Sequence, residues 1–312
     1  MHLDSLLFAS DVILPVCLLV CLGVLLRRLS IIDQHFIGIA SNLVFKVTLP
    51  TLVFLAVTGM DIDPSGQIRL VVFVAVSILL TFLFSHVWAK VIGLPEEDIS
   101  AFVQASFRSN LGIIGIAMVV YAFGEQGIRH GALVLAVGVP MYNLLSVIVL
   151  TRGQTVSVTE QLVMILKNPL IIAIALALPF SVWSIELPSV LHTTAESLGK
   201  MTLPLALISI GGSLSWVEFK RANKTTLHIA ALKLGVFPCM VLGAAIAVGF
   251  SGVELGVVVI MLASPTAAAA FVMAQSMGGN SALTANAIAT TTLGSLITTG
   301  AYFYVLRLLS LV

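Results

Sequence analysis

The sequence predicts an all-α polytopic membrane protein with ten transmembrane helices in two inverted five-helix repeats. Its composition, the spacing of its apolar runs and an internal repeat support this prediction. Of the 312 residues, 59% are hydrophobic and only 9% are charged, and the mean hydropathy is +1.13. A soluble domain has about 25% charged residues. So few charges cannot cover a surface that faces water, which excludes soluble enzymes and nucleic-acid-binding proteins.

Ten apolar runs follow one another with short polar breaks between them, and a spanning helix needs about 20 such residues. The runs lie near 8–26, 36–58, 69–92, 99–123, 130–150, 162–183, 190–215, 226–250, 253–276 and 283–308. The most polar connection, 151–161, separates a first repeat (1–150) from a second (162–312). We therefore expect five spans in each half.

The basic residues indicate the orientation, because cytoplasmic loops carry an excess of Lys and Arg. With both termini outside, eight basic residues lie on the inner side: Arg27, Arg28, Lys90, Arg152, Lys167, Lys220, Arg221 and Lys224. The outer side then has three: Arg69, Arg129 and Arg307. We expect a plasma-membrane protein (the inner membrane of a bacterium) with a cytoplasmic 151–161 connection and periplasmic or extracellular termini.

An offset of 154 residues aligns the two halves. The motif Lys-x-Thr-Leu-Pro occurs at 46–50 and again at 200–204, and the same offset brings 123–126 onto 277–280. Five spans are an odd number, so the second half must enter the membrane from the opposite face. Inverted repeats of this kind are typical of secondary transporters, whose sites lie where broken helices meet. A duplicated structural bundle is the alternative.

Two spans contain helix-breaking residues at the same place in the repeat. The fourth reads FRSNLGIIG from Phe107, and the ninth reads MLASPTAAAA from Met261 with a central proline. Irregular backbone at membrane depth is tolerated only inside protein or beside water, although a kink in a packed helix is the alternative. The candidate substrate-binding residues at these breaks are Arg108, Asn110, Gly112, Ser264, Pro265 and Thr266.

Four cations remain after the other basic residues have been assigned to one side of the membrane, and they lie well inside apolar runs: Lys46, Arg108, Lys200 and Lys233. No Asp or Glu lies comparably deep, and charges in a membrane usually face a cavity or a partner. This excess predicts an anionic cargo, with Arg108 suited to grip a carboxylate. As alternatives, Lys233 could snorkel to the interface, and Lys46 and Lys200 could pair with carbonyls that the following prolines free.

Tyr142 and Asn143 in the fifth span complete the candidate site, although hydrogen bonds between helices would explain them equally well. His86 and His228 are isolated in the sequence and form no metal cluster. The zinc and nucleophile motifs of intramembrane enzymes are missing from the sequence. We expect neither a catalytic residue nor a metal site.

Three segments resemble the auxin efflux carrier family: FRSNLGIIGIAMVVYAFGEQG, the pair KVTLP and KMTLPLALISIGGSL, and ASPTAAAAFVMAQSMGG. This family includes the plant PIN carriers and bacterial relatives that have been assigned to malonate transport. The resemblance implies a bile-acid-symporter or NhaA-like fold with crossed fourth and ninth helices. It also implies a scaffold of spans 1, 2, 6 and 7, which usually dimerises, and a moving domain of spans 3–5 and 8–10. Asn110 and the Pro265 region would lie at the binding site.

The chain departs from the family pattern in two places. Many members have Gly-Ile-Pro where this chain has Gly115-Ile116-Ala117, so we expect a milder break carried by Gly112 and Gly115. The long central loop of the plant carriers is absent, which indicates a bacterial member and leaves auxin as a weaker candidate substrate.

The sequence therefore predicts a secondary transporter of small organic anions that works by an elevator-like movement. Malonate or malate is the first candidate cargo, and an auxin-like aromatic carboxylate is the second. Either H⁺ or Na⁺ could couple transport, and no other cofactor and no nucleic acid is expected; the partners are the bilayer and a second copy of the chain. A coupled carrier of another monocarboxylate and a channel or uniporter are the alternatives.

Overall fold

The computed structural model describes residues 2–58, 64–151, 163, 166–167, 169–183, 185–214, 219–221 and 223–312. Side chains are described for these residues except 2–13, 64–66 and 276. Apart from Thr151, the predicted connection 151–161 lies outside the described residues. The described residues form helices and the connections between them. They contain one isolated β-bridge and no β-strand.

The helices are α1 (His2–Arg28), α2 (Gln34–Leu43), α3 (Leu49–Thr58), α4 (Pro64–Val91), α5 (Glu96–Phe107), α6 (Ile116–Leu150), α7 (Pro169–Val182), α8 (Ser189–Lys200), α9 (Thr202–Ser213), α10 (Lys224–Ala231), α11 (Phe237–Val248), α12 (Gly252–Ala263), α13 (Ala269–Ser276) and α14 (Ser281–Leu308). Short π-helical turns join α2 to α3 (Val44–Thr48), lead into α6 (Leu111–Gly115) and join α10 to α11 (Leu232–Val236). The described part of each predicted apolar run falls on one of these helices or on a consecutive pair.

Four continuous helical segments in the described chain are long and apolar enough to cross a membrane: Gln34–Thr58, Gln67–Val91, Leu111–Leu150 and Lys224–Val248. Large apolar side chains cover their outer faces and those of other helices. Leu18 is 67% exposed and Ile297 is 78% exposed, which would be unfavourable in water and suits contact with lipid.

The segment Leu111–Leu150 is a helical hairpin and not one straight rod. Gly124 has φ 56° and ψ −132°, a conformation that favours glycine and reverses the chain. A Cβ at Gly127 would lie 2.2 Å from the Val119 carbonyl oxygen, and one at Gly138 would lie 2.3 Å from Leu111. The two arms therefore pack antiparallel, with the turn at the predicted boundary between the fourth and fifth runs.

Helices α1 and α9 pack together at backbone contact distance, and α3 packs on α7. A Cβ at Gly211 would lie 2.0 Å from the carbonyl oxygen of Val20. Close approach of this kind needs small residues, as at other interfaces between membrane helices.

Polar contacts join the two repeats at both ends of α4. Arg69, near its start, forms an ion pair with Glu254 at 2.6 Å. Beyond its other end, the Asn280 side-chain amide donates to the Asp98 carboxylate at 2.7 Å. The first and second repeats are thus packed side by side along this length.

Candidate functional site

Two helix breaks carry the candidate site, and both occur where the sequence indicates them. After α5 the backbone is extended at Arg108 (φ −80°, ψ 104°) and non-helical at Asn110 (φ −83°, ψ 66°). After α12 the backbone leaves the helix at Ser264 (φ −59°, ψ 150°). We call residues 108–110 and 264–268 together the crossing.

The two breaks pair with each other as an isolated antiparallel bridge. The Asn110 amide donates to the Pro265 carbonyl at 2.8 Å, and the Ala267 amide donates to the Arg108 carbonyl at 3.1 Å. Backbone groups without water must be satisfied within the protein. Each break thus supplies hydrogen-bond partners for the free backbone groups of the other break.

The two glycines of the fourth run lie beside the break and not in it. Gly112 and Gly115 belong to a π-helical turn, whereas we expected them to carry the break. A Cβ at Gly115 would lie 3.4 Å from both the Asn110 carbonyl oxygen and the Met261 Cα, and one at Gly112 would lie 3.4 Å from Leu49. The glycines allow close packing here, while the pairing with the ninth run determines where the helix opens.

Arg108 is buried, with 6% of its surface exposed, and its guanidinium contacts only neutral groups. One terminal nitrogen donates to the Tyr142 carbonyl (3.1 Å), the Ser146 hydroxyl (3.0 Å) and the Met273 sulfur (3.3 Å). The other donates to the Asn143 side-chain oxygen at 2.8 Å. The crossing therefore brings together three candidates, Arg108, Tyr142 and Asn143, with α6 holding both ends of the guanidinium fork.

Lys233, only 1% exposed, is the second buried cation. Its ammonium donates to the Ser109 hydroxyl and, at 3.2 Å, to the Leu262 carbonyl. The snorkelling interpretation is therefore wrong: this side chain points inward and joins the fourth run to the ninth. The cavity beside it is small, about 10 Å³. Among the described residues, no carboxylate lies within 4 Å of either buried cation.

Ser264 and Thr266 use their polar atoms to hold the crossing. The Ser264 hydroxyl donates to the Met261 carbonyl at 2.7 Å. The Thr266 hydroxyl donates to the Ala105 carbonyl at 2.7 Å, and its amide donates to the Thr291 hydroxyl at 3.1 Å. In this conformation both candidates stabilise the backbone of the site.

Open hydrogen-bond donors remain at Asn110 and at two helix ends. The Asn110 side chain has no hydrogen-bond partner among the described residues, and it does not cap the helical turn that starts at Leu111. Helix α13 also starts without a side-chain cap, at Ala268. The first amides of a helix have no acceptor inside it and carry partial positive charge. These groups suit an anion.

The other two membrane-depth cations are placed differently. Lys46 and Lys200 are both exposed, and Lys200 forms an ion pair with Glu196 at 2.7 Å. Neither ammonium bonds a carbonyl freed by the following proline. The structure thus separates them from the crossing.

Sequence reasoning missed Ser109, Ser146 and Lys233 as members of the crossing. Ser146 is four residues after Tyr142, on the same face of α6, so helical spacing could have indicated it. Ser109 and Lys233 are 124 residues apart, and no local pattern connects them. In the described chain, no group of three or more His, Cys, Asp or Glu side chains could hold a metal ion.

The chain is similar to known membrane transport proteins. The family model described as membrane transport protein matches residues 8–303. An uncharacterized transporter of Methanothermobacter thermautotrophicus is 22% identical over 269 residues, covering 85% of this chain and 88% of its own. An uncharacterized transporter of Methanocaldococcus jannaschii is 25% identical over 307 residues, covering 95% and 98%.

These matches extend over nearly the whole chain, and both relatives are described as transporters and not as enzymes. The chain is therefore a multi-pass membrane protein and belongs to the membrane transport protein family, the auxin efflux carrier-like family that its motifs resemble.

Proposed function

We propose that the protein is a secondary transporter of small organic anions, with dicarboxylates such as malonate or malate as the first candidates. One observation carries this proposal: two buried cations meet at a membrane-embedded helix crossing with only neutral partners. A buried charge without a counter-charge is costly. An anionic cargo would supply the missing charge during each transport cycle.

The cargo carboxylate would contact Asn110 and the uncapped amides near Gly112 and Ala268. Arg108 and Lys233 would attract it through their charge, since their hydrogen bonds to neutral groups leave that charge uncompensated. Tyr142, Asn143, Ser264, Pro265 and Thr266 would hold the crossing in the geometry that binding requires.

The proposed architecture is ten spans in two inverted repeats, with spans 1, 2, 6 and 7 as a scaffold. The packing of α1 on α9 and of α3 on α7 supports such a scaffold. The remaining spans would carry the crossing across the membrane in an elevator-like movement. We also propose a homodimer formed by the scaffold, with both termini outside the cytoplasmic membrane of a bacterium.

The contacts of Lys233 bear on the choice of coupling ion. Sodium would need free oxygen ligands at the crossing, and the ammonium already binds the Ser109 hydroxyl and the Leu262 carbonyl. These two oxygen atoms are therefore not free to bind sodium, whereas the buried Gln104 and Ser106 side-chain oxygens, within one turn before Arg108, have no hydrogen-bond partner among the described residues. Uptake measured with and without sodium decides between Na⁺ and H⁺ coupling.

Binding is tested first, by the melting temperature of the detergent-purified protein. The panel is malonate, malate, indole-3-acetate and a neutral solute, with and without sodium at two pH values. A ligand that binds the folded state raises the melting temperature by mass action. We expect a saturable rise with a dicarboxylate and none with the neutral solute. A panel without any carboxylate effect would contradict the proposal.

Transport is then measured in proteoliposomes with the carboxylate that binds. We expect Asn110→Ala to abolish uptake without lowering the melting temperature of the unliganded protein. Asn42→Ala is the matched control, because its amide bonds only the Gly38 carbonyl on an exposed part of α2. A carrier shows saturation and counterflow, whereas a channel or uniport pore would show linear flux without counterflow.

A further inference from the structure

Two buried threonine hydroxyls have no hydrogen-bond partner, and they occupy the same place in the two repeats. Thr48 is 0% exposed and Thr202 is 1% exposed. Both belong to the Lys-x-Thr-Leu-Pro motif, 154 residues apart. Neither hydroxyl has a partner, although a buried polar group without one is unfavourable.

A threonine hydroxyl in a helix often donates to a backbone carbonyl of the preceding turn, and Thr48 and Thr202 do not. Thr51 donates to the Val47 carbonyl at 2.8 Å, and Thr291 donates to the Ala287 carbonyl at 2.7 Å, each four residues back. Other unpartnered threonine hydroxyls lie on α14, at Thr290, Thr298 and Thr299. Those three have no threonine at the corresponding positions of the first repeat.

The motif threonines lie on segments that pack against each other and beside the helical turn that follows the crossing. The π-helical turn that contains Thr48 packs on both α8 and α9, the helices that meet at Thr202. Leu49 lies 3.4 Å from the position of a Cβ on Gly112, and α9 contacts the same turn. The residue after Thr48 and the helix that begins at Thr202 thus both contact the helical turn that directly follows Asn110.

A cleft of about 470 Å³ lies beside both motifs. One wall consists of Leu52, Gly199, Leu203 and Pro204 with the exposed Lys200–Glu196 ion pair, and the opposite wall includes Val120 and Glu125. Val120 is five residues, or about 7.5 Å along the helix, from Gly115. Leu52 is four residues after Thr48 and Leu203 directly follows Thr202, so both motifs border the cleft.

We propose that Thr48 and Thr202 are cargo-binding residues, which donate hydrogen bonds from the scaffold to the carboxylate of the cargo. This inference rests on the proposed function and adds a second set of donors, opposite Asn110. Because one threonine comes from each repeat, the two hydroxyls can contact cargo that the crossing brings to either side. The unsatisfied hydroxyls of the unliganded state are then satisfied when cargo binds.

The test compares Thr48→Val and Thr202→Val, which remove the hydroxyl and keep the shape. Thr48→Ser and Thr202→Ser retain the hydroxyl, and Thr51→Val is the control at a threonine that bonds its own helix. We measure the melting temperature without ligand, the dissociation constant of the carboxylate and the KM of uptake. Loss of one hydrogen bond to a charged group corresponds to a KM about tenfold higher.

We expect both valine variants to melt at or above the wild-type temperature, since no native hydrogen bond is lost, while their KM rises about tenfold. The serine variants and Thr51→Val should keep the wild-type KM. Wild-type affinity in both valine variants, or melting temperatures well below wild type with an unchanged KM, would overturn this inference and leave the proposed function intact. A wild-type protein that binds no carboxylate would overturn the proposed function and this inference with it.

Discussion

The crossing and the two lysine–proline motifs (46–50 and 200–204) both place cations at membrane depth, yet the structure treats them in opposite ways. At the motifs, Lys46 and Lys200 are exposed, and Lys200 has a carboxylate partner. At the crossing, Arg108 and Lys233 are buried and bond only neutral groups. An equal position along an apolar run therefore does not imply an equal environment.

The internal repeat explains the difference. The motif lysines correspond to each other at the 154-residue offset, as expected for a feature that both halves use in the same way. The offset places Leu262 opposite Arg108 and Leu79 opposite Lys233. The two repeats together form a single crossing, so a charged residue at the crossing is needed in only one of them. A cation that lacks a counterpart in the other repeat is the better indicator of a site.

Among the variants that compare the two regions, the largest effect should come from Arg108→Met. This change removes four hydrogen bonds and half of the buried charge, and we expect uptake to fall by at least about tenfold. Arg108→Lys keeps the charge but cannot reach both Asn143 and Ser146, so it should restore only part of the uptake. Proteoliposome uptake at equal protein content measures both, and full activity of Arg108→Met would remove the distinction between the two regions.

A smaller effect should come from Thr266→Val, which leaves the Ala105 carbonyl without its 2.7 Å hydrogen bond in a buried position. We expect a loss of about 1–3 kcal/mol in the free energy of unfolding. Thr51→Val removes a bond of similar length beside Lys46, where water or lipid headgroups can substitute, and should change stability less. Melting temperatures of the two variants give the comparison, and equal shifts would contradict it.

The smallest effect should come from Lys46→Gln and Lys200→Gln. An exposed ion pair such as Lys200–Glu196 contributes little because solvent screens it, so we expect uptake within about twofold of wild type. The same uptake assay checks both variants. A severe loss of uptake in either variant would mean that a motif lysine acts in transport. The motif lysines and Lys233 would then not differ in function.

Local sequence features predicted much of the fold and the location of the two helix breaks. The described parts of the ten apolar runs fall on helices, and the breaks near Asn110 and Pro265 lie where the turn residues indicated them. Hydropathy and helix-breaking residues act within a few positions, so the sequence alone reveals them.

Long-range contacts escaped prediction. Lys233 points inward because Ser109 and Leu262 offer it oxygen atoms, and these residues are 124 and 29 positions away. Gly112 and Gly115 looked like the break itself, but the backbone opens where Pro265 and Ala267 supply partners. Which face of a helix meets a neighbour depends on the packing of the whole chain.

The pairing of Ser109 with Thr266 has a consequence for biosynthesis. During synthesis the fourth run enters the membrane long before the ninth has been translated. Until then, the Asn110 amide and the Arg108 carbonyl lack the partners that complete them. Before that pairing forms, these groups must be satisfied within an unopened helix or by water, lipid headgroups or a chaperone. Ribosomes that stall before Pro265 should therefore leave a first half that insertion machinery and membrane proteases recognise as unfinished.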